Sequence, residues 1–290
     1  MQRRELLKLA SACGVVIPSW ALLAPASAQT GSYTGRILVN IHASGGLDQS
    51  SWTDPRETDA TLNTYAAAGT PAGVAGNIRY APMGNNKAFF DAHFSRILAI
   101  NGVHSETNSH DVGTRAHATG RLDTGYPTLS ELFAYTYGRG MPMPWLNRGG
   151  FGTSAGLVPP TPVPDANAWR GMTQPNAASA SNDFMKQADL TRTQVARAER
   201  MKALQVRGDL LPRSKVAVEE FLGAADSRAL LQRVAQLTPA TFDAFTQAHI
   251  ALIAAQAGIP STVQLASGGF DAHSDIDASY ANALPRLTNL

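Results

Sequence analysis

Two stretches of this chain, far apart in sequence, each run from an apolar segment into a glycine pair and then a carboxylate. Ile37-Leu38-Val39-Asn40-Ile41-His42 leads through Ala43-Ser44 into Gly45-Gly46-Leu47-Asp48. Thr262-Val263-Gln264-Leu265-Ala266-Ser267 leads into Gly268-Gly269-Phe270-Asp271-Ala272-His273. In an extended or turning backbone, residues i and i+2 point the same way. Asp271 and His273 can therefore reach one metal ion or one substrate atom together. Glycine supplies the positive φ that a sharp bend at a strand end requires. A plainer role is also open to Asp271, as the cap of the next helix.

Asp48, Asp271 and His273 are oxygen and imidazole donors. Such a set suits zinc, magnesium, manganese or calcium, and no organic cofactor is expected. A divalent metal at strand ends polarises a phosphoryl or sulfuryl oxygen and activates an alkoxide or water. A third stretch, His104 to Gly120, contains Asn108-Ser109-His110 and opens a helix near Ser109. Free N–H groups at a helix start bind phosphate or sulfate. Ser109 there is either a capping residue or a nucleophile, its hydroxyl ionising more readily beside a cation. Two other chemistries are excluded by spacing. No His-Glu-x-x-His is present, and on a helix His110 and His117 stand two turns apart, about 10 Å. No Gly-x-Ser-x-Gly is present either, and Gly152-Thr153-Ser154-Ala155-Gly156 has no strand before it.

The elements that position these residues follow from periodicity and punctuation. Arg36 to His42 and Thr262 onward read as buried strands, and Ile97 to Val103 as a third. Ser51 to Gly76 is loop-rich. Asn86 to Arg96 reads as a helix in which His93 packs or sits on the surface. Thr128 caps a helix over Leu129 to Tyr137. Asp183 to Arg207 is helical, Ser214 to Gln236 forms one or two helices with a break at Asp226-Ser227, and Thr238-Pro239 starts another, N-cap before proline. His249 falls on the apolar face of that last helix. Gly258 and Pro260 end it. The stretch 138–182 is rich in Gly, Pro, Ser and Asn and reads as an excursion over the ligand edge of the sheet. Strands alternating with helices make the class α/β, with ligands expected at the carboxyl ends of the strands.

The first residues read as a leader rather than part of the fold. Gln2-Arg3-Arg4-Glu5-Leu6-Leu7-Lys8 is a twin-arginine export pattern. A moderately apolar run to Leu23 and the small residues Ala26-Ser27-Ala28 follow it. Residues 1–28 are expected to be the signal peptide, leaving a periplasmic or secreted protein after passage through the twin-arginine machinery. The leader accounts for the whole net charge of +2. The remainder is near neutral, so neither nucleic acid nor a membrane surface is expected as a partner. The single cysteine, Cys13, lies in the leader, which leaves no disulfide and no thiolate metal site.

Taken in order, the arginine leader, Gly45-Gly46-Leu47-Asp48, Asn108-Ser109-His110 with Thr119-Gly120, and Gly268 to His273 resemble the exported bacterial family called domain of unknown function 1501. That family looks like a branch of the alkaline phosphatase and sulfatase superfamily. The resemblance implies a three-layer α/β fold with a mostly parallel central sheet, alkaline phosphatase-like. It implies a metal-dependent hydrolase of phosphate or sulfate esters acting on a small anionic substrate. Asp48 then falls at a metal-binding aspartate. Ser109 falls at the nucleophile position with His110 beside it. Asp271 and His273 match the family's Asp-Thr-His, with Ala272 in place of the threonine. Family members carry later Ser-Asp/Glu-Phe-Gly-Arg and Asp-His-Gly segments that look like the remaining ligands. Neither is found here, so the resemblance implies that 29–290 is the N-terminal part of a single domain with its C-terminal strands missing. The alternative is a non-catalytic binding or surface-associated protein on the same fold.

Overall fold

The computed structural model describes residues 35–173, 187–226, 230–231, 234–235, 238 and 246–290. The expected leader, 1–28, lies outside them, as do 183–186 and 239–245 of two expected helices. In chain order, β1 (Leu38–Ala43) is followed by a 3-10 turn (Gln49–Ser51), α1 (Thr64–Ala67), and the strands β2 (Gly73–Ala75) and β3 (Ile78–Tyr80). Next come α2 (Asn86–His93) with a 3-10 extension to Arg96, α3 (His110–Thr119) and α4 (Leu129–Tyr137). The chain continues through β4 (Trp145–Asn147), β5 (Thr161–Pro162), α5 (Ala166–Thr173), α6 (Gln187–Gln205) and α7 (Pro212–Asp226). It closes with α8 (Thr246–Gln256), β6 (Thr262–Ser267) and α9 (Ile276–Thr288).

Strand order in the main sheet is β1-β6-β4-β5, and every pairing is parallel. β1 and β6 pair residue for residue, from Leu38 opposite Thr262 to Ala43 opposite Ser267. This register brings the two glycine turns to one level. β2 and β3 form a separate antiparallel hairpin. Helices cover the main sheet from both faces. Val263 and Leu265 point into a core with Leu146, Trp169, Ile250 and Ala254, built by α5 and α8. On the opposite face Asn40 donates to the Ser130 hydroxyl of α4 at 3.2 Å. The expected α/β class with a mostly parallel sheet is therefore present.

Local signals placed the helix ends well. α3 starts after Ser109, whose backbone is extended, and stops at Gly120, which is left-handed at φ 69°. Thr128 caps α4 by accepting the Glu131 N–H at 2.9 Å. α7 is described to Asp226, and the expected break at Asp226-Ser227 falls at the edge of the described residues.

Two expectations are corrected. Ile97 to Val103 is not a strand of the sheet. It follows the 3-10 extension of α2 and pairs with no strand among the described residues, with Leu98 82%, Ile100 70% and Val103 76% exposed. Asn101 ties it to Thr53 through two hydrogen bonds, of 2.8 and 2.9 Å. An apolar run becomes a strand only when a neighbour takes its backbone hydrogen bonds, and among the described residues no strand does so. The second correction concerns 138–182. Its described part, 138–173, is more than an excursion, because it supplies β4, β5 and α5. Trp145 and Trp169 are fully buried in it, and so anchor a Gly- and Pro-rich stretch to the core.

Glu131 holds that stretch in place. Its carboxylate is fully buried and accepts from the Ser154 hydroxyl at 2.5 Å and from the N–H groups of Ala155, Leu157 and Val158 at 2.9 to 3.2 Å. In the usual capping box this glutamate would reach back to the N-cap N–H. Here it binds a loop more than twenty residues downstream. Replacing Glu131 by Ala strands those donors, at a cost of about 3 kcal/mol. The expected outcome is a lower urea midpoint with an unchanged slope, together with faster proteolytic cleavage near 154–158.

Candidate functional site

The site forms where β1 and β6 end. Ser44 donates its N–H to Ser267 O at 2.8 Å, which extends the ladder one step past β1. The two turns then touch. A Cβ on Gly45, at φ 109°, would lie 2.5 Å from the Asp271 backbone nitrogen and 2.9 Å from its Cβ. Only glycine fits at that approach. Tyr280 of α9 fastens the turns from below. Its buried hydroxyl accepts the Asp48 N–H at 2.8 Å and lies 3.2 Å from Gly46 O and 3.3 Å from Phe270 O, the carbonyls to which it can donate. Its ring packs edge-on against Phe270.

Above this base, three of the five expected site residues come together. His110, the first residue of α3, has Nε2 3.5 Å from Asp271 Oδ1. His273 has Nε2 3.2 Å from the same oxygen. All three side chains are exposed. Ser109 stands next to them at the start of α3. Its side chain makes no cap hydrogen bond, and its own N–H goes to Thr107 Oγ1 at 3.1 Å. The serine hydroxyl is thus not occupied as a cap.

Asp48 behaves differently. Its carboxylate accepts from the Ser50 N–H at 2.9 Å, the Ser50 hydroxyl at 2.5 Å and the Ser51 hydroxyl at 3.1 Å. It is the N-cap of the 3-10 turn that follows. Among the described residues, no group of three His, Cys, Asp or Glu side chains is arranged to hold a metal ion. Asp271 and His273 fit two positions of such a site, whereas Asp48 is held by its own neighbours. The expected metal set does not fit as it stands.

Residues that the sequence did not mark also contribute. His42, near the end of β1, is half-buried beneath the site. Burial first, and then the charge of His117 on α3, push its imidazole below the ordinary value of 6.5. His117 therefore belongs to the same surroundings. A strand-end histidine carries no signal of this kind in sequence, because its burial depends on what packs over it. Beside the cluster a cavity of about 390 Å³ opens, lined by His273, Asp275, Asp277, Thr64 and Leu62 among others.

Compared with protein-family models, curated proteins and solved structures, the chain matches none.

The His42 environment has a measurable consequence. The unfolded chain takes up the proton near 6.5 while the folded chain resists it. The stability that depends on neutral His42 is thus fully present above 6.5. It falls as pH drops through that value and levels off below the folded-state value. In pH-dependent urea unfolding, His42→Gln should flatten this decline. His117→Asn should shift it to lower steepness by removing the neighbouring charge.

Proposed function

We propose that the chain is an exported hydrolase of small anionic esters, phosphoryl or sulfuryl, on an alkaline phosphatase/sulfatase-like architecture. The reading places it with the exported bacterial family that its motifs resemble. The observation that carries the reading is the approach of His110 to Asp271 at 3.5 Å from 161 residues away along the chain (271 − 110), beside the local Asp271–His273 contact at 3.2 Å. Ser109 is proposed as the nucleophile. Its hydroxyl oxygen forms a bond to phosphorus or sulfur as the hydroxyl proton passes to an imidazole, the bond to the ester oxygen breaks, and the imidazolium gives the proton to that oxygen, which leaves as the alcohol. Asp271 lies where it can orient that imidazole, with one ring nitrogen toward the carboxylate and the other toward the reaction. The N–H groups at the start of α3 face the anion. Water then releases the ester from Ser109. No step is routed through a metal, since the donors present do not gather one.

A second reading is favoured by a specific observation. Asp48 is engaged with Ser50 and Ser51, which leaves a site able to hold an anion without turning it over. One experiment separates the two. The full chain is assayed on p-nitrophenyl phosphate and p-nitrophenyl sulfate, in chelator and with added zinc, magnesium, manganese or calcium. Turnover that falls by about 100-fold or more in both Ser109→Ala and Asp271→Asn supports the hydrolase. Inorganic phosphate binding without turnover, lost in His110→Ala, supports the binding protein. Neither turnover nor binding removes both.

Export rests on the Arg3-Arg4 leader. Replacing both arginines by lysine should leave uncleaved precursor in the cytoplasmic fraction, whereas the unchanged chain should yield the mature form outside it.

A further inference from the structure

We propose that the cavity beside His273 takes the alcohol part of the ester and selects one that carries an amine. The substrate is then a zwitterion, an amino-alcohol phosphate or sulfate. This rests on the hydrolase reading for the ester end and adds what the other end must be.

The cavity, about 390 Å³, lies between the segment that leads into α1 and the turn from Ala272 into α9. His273 contacts Asp271 and also lines the cavity, so a group bound there is continuous with the site. The lining is mixed. Leu62 and Ile276 are apolar, whereas Asp275 and Asp277 bring two carboxylates. No Lys or Arg is among the described residues that line it.

The two carboxylates are held differently, and neither meets a cation. Asp275 caps α9, its Oδ1 accepting the Ala278 N–H at 3.1 Å. Asp277 joins the two walls, its Oδ2 accepting the Thr64 N–H at 3.2 Å. The other oxygen of Asp277 is buried and accepts no hydrogen bond among the described residues. Such an oxygen costs free energy, and a cation in the cavity offsets that cost through space. The ion pairs of His110 and His273 go to Asp271. Among the described residues, none reaches Asp275 or Asp277.

Charge decides the occupant. Asp271, His273, Asp275 and Asp277 alternate along the turn into α9. An ester whose charge is all negative brings its anion to His110, Asp271 and His273 with two further carboxylates close by. A positive charge on the alcohol part turns the contact with Asp275 and Asp277 from repulsion to attraction. Leu62 and Ile276 suit the carbon chain that carries it. A neutral alcohol gains only those apolar contacts, and an acidic one is repelled.

O-Phosphoethanolamine and propyl phosphate, which differ in the amine, test this on the full chain. Each competes against p-nitrophenyl phosphate turnover and is also titrated by calorimetry without it. O-Phosphoethanolamine should bind about fivefold or more tighter at low salt. The advantage should shrink at about 1 M salt. N-Acetylation of the probe, which removes the charge, should abolish it. Asp275→Asn and Asp277→Asn keep the side-chain shape and should each reduce it, with propyl phosphate binding unchanged. Equal binding of the two probes overturns the proposal, as does an advantage that survives N-acetylation or the double substitution. Binding of neither probe overturns it too. An amine preference without turnover removes the hydrolase and keeps the cavity's selectivity. Turnover without preference does the reverse.

Discussion

The structure depends on the parallel pairing of β1 with β6. The two strands are more than two hundred residues apart, so their contact closes nearly the whole chain into one loop, at an entropic cost paid before any site exists. What repays it is a ladder in strict register, apolar burial of Val263 and Leu265, and the clasp at the strand ends. There Gly45 comes so close to Asp271 that no side chain is possible, and the Tyr280 hydroxyl serves both turns at once. Each such hydrogen bond contributes about 1 kcal/mol net. Their larger effect is geometric. They hold the carboxylate of Asp271 at a set height above the sheet, where α3 can bring His110 to it.

Polar groups buried inside the fold do comparable work elsewhere. Asn86 is fully buried and donates to Ser51 O and Ala81 O, which joins the turn after Asp48 to the β3–α2 region. Glu131 collects a loop that has little apolar content of its own. Both are cases where a residue type typical of surfaces is buried because its hydrogen bonds are met. They explain how a chain with long Gly- and Pro-rich stretches keeps its strand ends in register. Beyond the apolar anchors Trp145 and Trp169, the loops are tied by polar side chains at helix starts.

The sheet is asymmetric in how it meets solvent. At β6 both faces are covered, while at β1 one face and one edge are open. The candidate site lies at the same end of both strands.

The sequence by itself determined the α/β class, the two strands that lead into the glycine turns, the helix start after Ser109, the cap at Thr128, and the adjacency of Asp271 to His273. These are local properties. Helix hydrogen bonds close within four residues, caps within three, and a glycine turn is written in its own residues. Tertiary structure decided the rest. Among the described residues Ile97 to Val103 pairs with no strand despite its strand composition, whereas β4 and β5 arise from a Gly- and Pro-rich stretch because β6 offers β4 a partner and β4 offers one to β5. Asp48 looks in sequence like the equal of Asp271, but two serines just after it turn its carboxylate into a cap. His42 and Tyr280 carried no sequence signal, and Glu131 carried only that of a capping box, not of the remote loop it binds. The physical reason is common to all of them: a strand, a buried imidazole or a buried carboxylate is defined by what lies across from it, and that neighbour is remote in the chain.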